Sequence, residues 1–196
     1  MGVGSNIVIA GVGGQGTLIA SRIIGGAAIK SGCDVKVSEV HGMSQRGGSV
    51  TTFVKFSENK VASPIVDPGC ADAVLAFELL EAYRAVPFLK KGGTVIANSQ
   101  KIIPMPVITG AAVYPEDIEN KIKNLGIKIE ALDANSLAVK AGSKLAVNVV
   151  LIGKLAAVLS FAKEIWTETI RETVKPAFLE INLKAFEEGY AWGFDG

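Results

Sequence analysis

The first ordered signal along the chain is a short apolar run, Asn6-Ile7-Val8-Ile9-Ala10, that ends at a cluster of glycines. A continuous apolar run bounded by a turn signal reads as a strand buried on both faces. Beyond the glycines, residues 17–30 place Leu18, Ile19, Ile23, Ile24 and Ala27 at three- and four-residue steps. That spacing predicts a helix, stopped by Gly32. Residues 35–40 alternate in type and predict a second strand, so strand, glycine turn, helix and strand form a βαβ unit with a right-handed crossover. Residues 49–56 alternate Val50, Thr52, Val54 and Phe56 on one side, which predicts a third strand with one face partly solvated. Ser57-Glu58-Asn59-Lys60 reads as a turn, after which residues 61–63 are expected to pair back as a hairpin.

The same alternation of elements continues. Residues 73–77 (AVLAF) predict a buried strand, and residues 78–89 a helix finished by Lys90, Lys91 and Gly92, a basic, glycine-ended stop. Residues 94–97 predict the next strand. Pro104 and Pro106 break the chain, Pro115-Glu116-Asp117 opens a short amphipathic helix ending near Leu125-Gly126, and residues 127–132 predict the last strand. From Ala134 the pattern is helical: residues 134–141, residues 144–163, and a final run from Thr167 with a break near Pro176. Strands alternating with helices imply an α/β class, with a Rossmann-like, doubly wound, mostly parallel sheet and a helical C-terminal region. One domain is expected over 1–196, with the α/β core at about 1–133 and the added helices at about 134–196.

Composition narrows the partners. Hydrophobic residues make up 49% of the chain, charged residues 20% and aromatic residues 7%, so the core is built mainly from Ala, Val, Ile and Leu. Low charge and high apolar content fit a chain that covers part of its surface with another subunit, and equally a large-cored monomer. A net charge of +1 leaves no electrostatic footprint for nucleic acid or an anionic membrane. The two cysteines, Cys33 and Cys70, read as buried thiols of a cytoplasmic protein and cannot supply the four thiolates of an iron–sulfur cluster. No signal peptide is expected at residues 1–6, and Asn148 and Lys154 interrupt the most apolar window, so no membrane span is expected.

Two glycine-rich segments carry the candidate chemistry. Gly11-Val12-Gly13-Gly14-Gln15-Gly16 has the spacing G-x-G-x-x-G between a strand and a helix. Glycine there permits a tight turn and close approach of a ligand, and the unpaired amides at the start of the helix favour an anion. Gly11, Gly13, Gly14, Gln15, Gly16 and Thr17 are therefore candidate cofactor-binding residues, Thr17 as a hydroxyl donor. The plainer alternative is that these glycines only let the helix pack on the sheet. Glu39 closes the second strand, where a ribose-binding carboxylate belongs in a dinucleotide fold; the alternative is an ordinary strand-end carboxylate.

The second segment, residues 39–49, holds the single histidine, His41, with Met43, Ser44, Gln45, Arg46 and the paired glycines Gly47 and Gly48. It leaves the C-terminal end of a strand, where open α/β sheets build ligand sites. Arg46 suits a carboxylate or phosphate. The alternative is a surface turn with Arg46 paired locally.

Taken together, Gly11 to Gly16 and the string Ser38-Glu39-Val40-His41-Gly42-Met43-Ser44-Gln45-Arg46-Gly47-Gly48-Ser49-Val50 resemble the gamma domain of 2-oxoacid:ferredoxin oxidoreductases. Pyruvate-type members usually carry an acidic residue two places before Arg-Gly-Gly; here that place is Ser44, and the string is similar to the small subunit of the indolepyruvate branch. The resemblance extends over most of the chain, including residues 73–82 (AVLAFELLEA) and the late helices. It implies a small subunit of an enzyme that oxidatively decarboxylates a 2-oxoacid to an acyl-CoA and passes electrons to ferredoxin. Thiamine diphosphate, Mg2+ and the iron–sulfur clusters then belong to a large partner subunit, with CoA as co-substrate and no tightly bound cofactor in this chain. On that reading the segment from Gly13 to Thr17 holds a CoA phosphate. His41, Ser44, Gln45 and Arg46 face the active centre without acting as direct catalysts, and the isolated chain self-associates through the surface its partner covers.

Two rival readings keep some support. A self-sufficient NAD(P)-binding reductase is favoured by the glycine spacing and Glu39, and opposed by the lack of a Tyr-x-x-x-Lys pair at Tyr83, Tyr114 or Tyr190. A noncatalytic ligand-sensing module predicts small-molecule binding with no cluster-bearing partner.

Overall fold

The computed structural model describes residues 4–41 and 48–193. In chain order the elements are β1 (Gly4–Val12), α1 (Thr17–Lys30), β2 (Asp34–His41), β3 (Ser49–Ser57), β4 (Ala71–Ala76), α2 (Leu79–Ala85), β5 (Leu89–Asn98), α3 (Met105–Ile108), α4 (Ile118–Asn124) and β6 (Lys128–Leu132). Four helices follow: α5 (Ala134–Ala141), α6 (Val147–Ala156), α7 (Lys163–Thr173) and α8 (Leu179–Ala191).

The strands form a 6-stranded sheet in the order β2-β3-β1-β4-β5-β6. Pairing is parallel across β1–β4, β4–β5 and β5–β6, and antiparallel across β1–β3 and β2–β3, so among the described strands β3 alone runs the other way. The α/β class, the mostly parallel sheet and the helical C-terminal region agree with the sequence expectation. The expected βαβ unit is altered in one respect. β1 and β2 are parallel, but β3 lies between them.

Helices cover both faces. On one face Ile7 and Ile9 of β1 pack with Ile23 and Ile24 of α1, Leu151 of α6, Trp166 of α7 and Phe186 of α8. On the other, Val8 and Ala10 pack with Leu80 of α2 and Ile118 and Ile122 of α4. Successive β1 residues thus serve opposite cores, which is why the run reads as continuously apolar. α1 and α2 leave neighbouring parallel strands for opposite faces, so a crevice opens at the C-terminal ends of β1 and β4.

α6 and α8 cross at unusually close range. A Cβ built on Gly153 would lie 2.2 Å from the Phe186 carbonyl oxygen, and one on Gly189 would lie 1.9 Å from that of Val150. Glycine at both positions allows backbone to rest on backbone. Across the middle of β6, Lys154 of α6, 8% exposed, pairs with Glu130 at 2.6 Å and donates to the Trp192 carbonyl at 3.2 Å. Burial pushes the Glu130 carboxyl up, but hydrogen bonds from Lys128 and Lys154 outweigh it and hold the group below the usual glutamate value.

Several local expectations are corrected. Residues 61–63 form no strand; Val61 is buried and its N–H donates to Asp34 Oδ2 at 2.7 Å, which ties the segment beneath β2 instead. The helix after β4 ends at Ala85 because Pro87 has no N–H to continue it, and a 3-10 turn over Val86–Phe88 follows. Lys90, Lys91 and Gly92 accordingly belong to β5 rather than to a helix end. The helix expected over 144–163 breaks after Ala156, and the turn lowers Phe161 between Phe56 and Trp166, at ring-centroid distances of 5.3 and 5.9 Å. Cys33 is buried, but Cys70 is exposed, since it occupies a turn in which its N–H donates to the Asp67 carbonyl. No helix among the described residues is long and apolar enough to cross a membrane.

Candidate functional site

The glycine loop is held from below by a single side chain. Gln15 Oε1 accepts the Val12 N–H at 2.7 Å, and its Nε2 donates to the Phe77 carbonyl at 3.2 Å. The amide is spent on fixing the loop to the end of β4. Gln15, one of the candidate cofactor-binding residues, braces the loop through its side-chain amide. Gly11 lies so close to Gln15, Thr17 and Phe77 that a Cβ would sit 3.1–3.3 Å from each, tighter than most real contacts. Gly16 caps α1 with φ of 87°, a left-handed conformation that favours glycine.

Above that brace the loop is open. Gly14, with φ of 98°, has nothing within 4 Å of its Cβ direction. Among the described residues no acceptor is paired with the backbone N–H of Gly14, Gly16, Thr17 or Leu18. These are the amides at the positive end of a 14-residue helix, arranged as an anion site requires.

The second glycine segment meets the first directly. The Gly13 N–H donates to the Gly48 carbonyl at 3.0 Å, so the two bends share one edge of the sheet. Ser49, the next residue, donates to buried Glu81 Oε2 at 2.5 Å, and Arg84 holds Glu81 Oε1 at 2.6 Å. Ser44, Gln45, Arg46 and Gly47 fall outside the described residues; His41 and Gly48 flank them.

A cavity of about 470 Å³ lies between the loop and the β2–β3 edge, lined by Gly13, Gly14, Gly16, Thr17, Leu18, Ile19, Glu39, His41 and Val50. Glu39 reaches into it: its Oε2 accepts from Thr52 Oγ1 at 3.2 Å and, more weakly, from Thr17 Oγ1 at 3.5 Å. Glu39 spans to the loop from a strand that is not β1's neighbour. The Thr17 hydroxyl, expected as a ligand donor, faces that carboxylate. A second cavity of about 450 Å³ opens on the other side of the loop, lined by Gly14, Gln15, Phe77, Gln100, Ile102, Asn135, Lys144, Leu145 and Val147. Gly14 belongs to both. One flank of the loop therefore carries a carboxylate and the other a lysine. An anionic group fits the Lys144 flank, and a hydroxyl fits the Glu39 flank.

The sequence patterns single out neither Lys144 nor the two carboxylates behind the site. Glu78 is 1% exposed; its Oε2 accepts the Glu81 N–H at 2.9 Å, and its Oε1 accepts the Ile102 N–H at 3.0 Å and the Tyr114 hydroxyl at 2.5 Å. Burial first, and then the hydrogen bond to Glu78, push the Tyr114 hydroxyl far above its ordinary range. Asn98 is fully buried and binds the Phe77 carbonyl at 3.4 Å and the Ala134 N–H at 3.2 Å. Gln15, Phe77, Asn98 and Ala134 thus form a crosslink over the C-terminal edge of the parallel strands. The available sign was an acidic pair, Glu78 and Glu81, in the first turn after a buried strand.

With that geometry in place, the comparisons with known proteins agree with one another. The family model described as pyruvate ferredoxin/flavodoxin oxidoreductase matches residues 6–192. Indolepyruvate oxidoreductase subunit IorB of Thermococcus kodakarensis is 47% identical over 189 residues, covering 94% of this chain and 93% of the relative. The pyruvate/ketoisovalerate oxidoreductases common subunit gamma of the same organism is 30% identical over 183 residues, covering 92% of each. Among solved structures, a keto/oxoacid ferredoxin oxidoreductase gamma subunit from Geobacter sulfurreducens superposes with a TM-score of 0.73 at 25% identity, over 98% of this chain and 99% of that one. The relatives are subunits of larger oxidoreductases, the fold is theirs over nearly its whole length, and the chain belongs to the pyruvate ferredoxin/flavodoxin oxidoreductase family.

Proposed function

We propose that this chain is the small, site-completing subunit of a thiamine diphosphate-dependent oxidoreductase that converts an arylpyruvate, or a related 2-oxoacid, with CoA into an acyl-CoA and CO2 and delivers the electrons to ferredoxin. The observation that carries the reading is the Gly13–Gly48 hydrogen bond, which joins both glycine bends on the edge where open α/β sheets bind ligands. The identity to indolepyruvate oxidoreductase subunits across almost the full chain supports the arylpyruvate class.

The chain has two cysteines, and no group of three or more His, Cys, Asp or Glu among the described residues is placed to hold a metal ion. Two thiolates do not make a four-thiolate cluster site; on the proposed reading the clusters, and thiamine diphosphate with its Mg2+, are carried by a large partner subunit. When bound there, thiamine diphosphate supplies the carbanion-stabilising centre for decarboxylation. This chain's own residues do different work. The amides of Gly14, Gly16, Thr17 and Leu18, unpaired among the described residues, fit a CoA phosphate presented from the Lys144 side, while Glu39 accepts a hydroxyl of the same molecule. Closing this edge over the partner's centre keeps water out and aims the thiol at the acyl carbon. His41, which lines the cavity beside the glycine loop, lies on the same edge.

Copurification from the native host, with dye reduction assayed on arylpyruvates and on pyruvate, tests the reading. A thiamine- and cluster-bearing subunit and arylpyruvate-dependent, CoA-requiring reduction are expected, and alanine at Arg46 should weaken assembly or CoA-dependent turnover. An isolated chain that binds NADH with no partner recovered would refute it in favour of a self-sufficient reductase.

A further inference from the structure

A third cavity, of about 410 Å³, lies beside the glycine edge but belongs to the helical region. It is framed by the start of α1, the turn before α6, the end of α7 and the start of α8. Apolar and polar side chains share its lining, and its apolar rim residues stand proud: Leu145 is 81% exposed, Phe178 54% and Ile19 43%. Large apolar side chains clustered on a surface mark a contact that another molecule covers. Two charged residues line it, Arg22 and Lys175, and no acidic residue does. Among the described residues neither cation has an ion-pair partner, whereas Lys30, Lys140 and Lys163 nearby on the same helical layer are all paired with glutamates.

Ile19 lines both this groove and the cavity at Glu39, and Leu145 lines both this groove and the cavity at Lys144. The groove is therefore continuous with the edge assigned above to the partner's active centre. A two-fold contact centred on the groove would set Arg22 and Lys175 against their own copies, so like charges oppose self-pairing at this surface. An acidic partner segment removes that opposition.

We infer that this groove is a docking site for an apolar segment carrying one or more carboxylates, supplied by the large subunit of the same oxidoreductase. The inference rests on the proposed function, because the occupant is that subunit. Leu145, Phe178 and Ile19 insert among apolar side chains of the segment, and Arg22 and Lys175 bracket its carboxylates. The arrangement fixes the small subunit so that its glycine edge faces the shared centre.

The test compares the wild-type chain with Leu145→Asp and with the double variant Arg22→Glu/Lys175→Glu, each coexpressed with the large subunit and purified through a tag on that subunit. All three changed residues are exposed, so circular dichroism and thermal midpoints of the free chains should match wild type. Recovery of the small subunit should fall at least tenfold for Leu145→Asp. The double variant should also fall, and the wild-type complex should dissociate more readily as salt is raised. Wild-type recovery of both variants would overturn the docking site while leaving the proposed function standing. A wild-type chain that never associates with the large subunit would overturn both. A homodimer of this chain that Leu145→Asp breaks, with the large-subunit complex untouched, would assign the groove to a second copy and overturn the inference.

Discussion

Replacing Gly189 by alanine adds one methyl group where α8 rests on α6, and the structure gives both the sign and the scale of the effect. In an isolated helix the change is favourable by about 1 kcal/mol, because alanine loses less backbone freedom than glycine. Here the new Cβ lies 1.9 Å from the Val150 carbonyl oxygen and 2.7 Å from its carbon. Those are backbone atoms in the middle of α6, which cannot rotate away as a side chain can, so the helices must separate. Overpacking of a tight interior costs roughly 1–3 kcal/mol, and more where backbone must move. A net loss of about 2 kcal/mol is expected, or roughly 4–8 °C in Tm for a chain of this length. Gly25 is the internal control. It is also helical and buried, but its added Cβ would meet Val35 at 3.5 Å and Val37 at 3.7 Å, ordinary contact distances. Gly25→Ala should raise stability by about 0.5–1 kcal/mol. Urea unfolding followed by circular dichroism, with unchanged slopes, reads both. If Gly189→Ala left the midpoint unchanged or raised it as Gly25→Ala does, the close α6–α8 crossing would be refuted.

Three further outcomes follow from the site. Gly16→Ala places an alanine at φ of 87° and its Cβ 2.9 Å from Asn148 Nδ2, so a loss of roughly 1–2 kcal/mol is expected in urea unfolding, with weaker CoA use by the assembled enzyme. Glu39→Gln and Lys144→Gln should each raise KM for CoA by about fivefold, the equivalent of roughly 1 kcal/mol, with kcat little changed; steady-state kinetics on the complex check this. Asp133 caps α5 by accepting the Ser136 hydroxyl and N–H, which hold its carboxyl below the ordinary 3.8. Asp133→Ala should therefore cost about 1 kcal/mol near neutral pH. A depressed folded value stabilises above the unfolded value, so the difference from wild type should shrink only as pH falls through the acid side of 3.8.

How far the fold was legible depends on how local its causes are. α1 and α5 match their expected bounds at 17–30 and 134–141, because each is delimited by its own residues: Gly16 and the Gly32 turn for one, the Asp133 cap and Gly142 for the other. The alternation in β3 was readable, but its place between β1 and β2 was not, since strand order is decided by which faces bury together and not by spacing along the chain. α2 and α6 are shorter than their sequence patterns predict for a similar reason. A proline at 87 and a buried phenylalanine at 161 end apolar runs that continue along the sequence. At the site, the first glycine bend is legible because Gly14 and Gly16 take positive φ, which few other residues adopt. The bracing role of Gln15 has no sign in the sequence, because the Phe77 carbonyl that its amide meets lies 62 residues away. Lys144 gave no local sign at all. It joins the site through the packing of the C-terminal helices on the sheet, which brings residues 144–147 to Gly14 and Gln15 across more than half the sequence.

Amide hydrogen exchange on the assembled oxidoreductase, with and without CoA, tests most directly whether the two joined bends face the working centre. Slowed exchange is expected together at residues 14–18 and 48–50 on assembly, and further at residues 14–18 when CoA is added. The opposite edge of the sheet, at Asn59, Gly69 and Gly92, should exchange as in the free chain. Protection confined to that opposite edge, with the glycine bends unchanged by partner and CoA alike, would contradict the assignment.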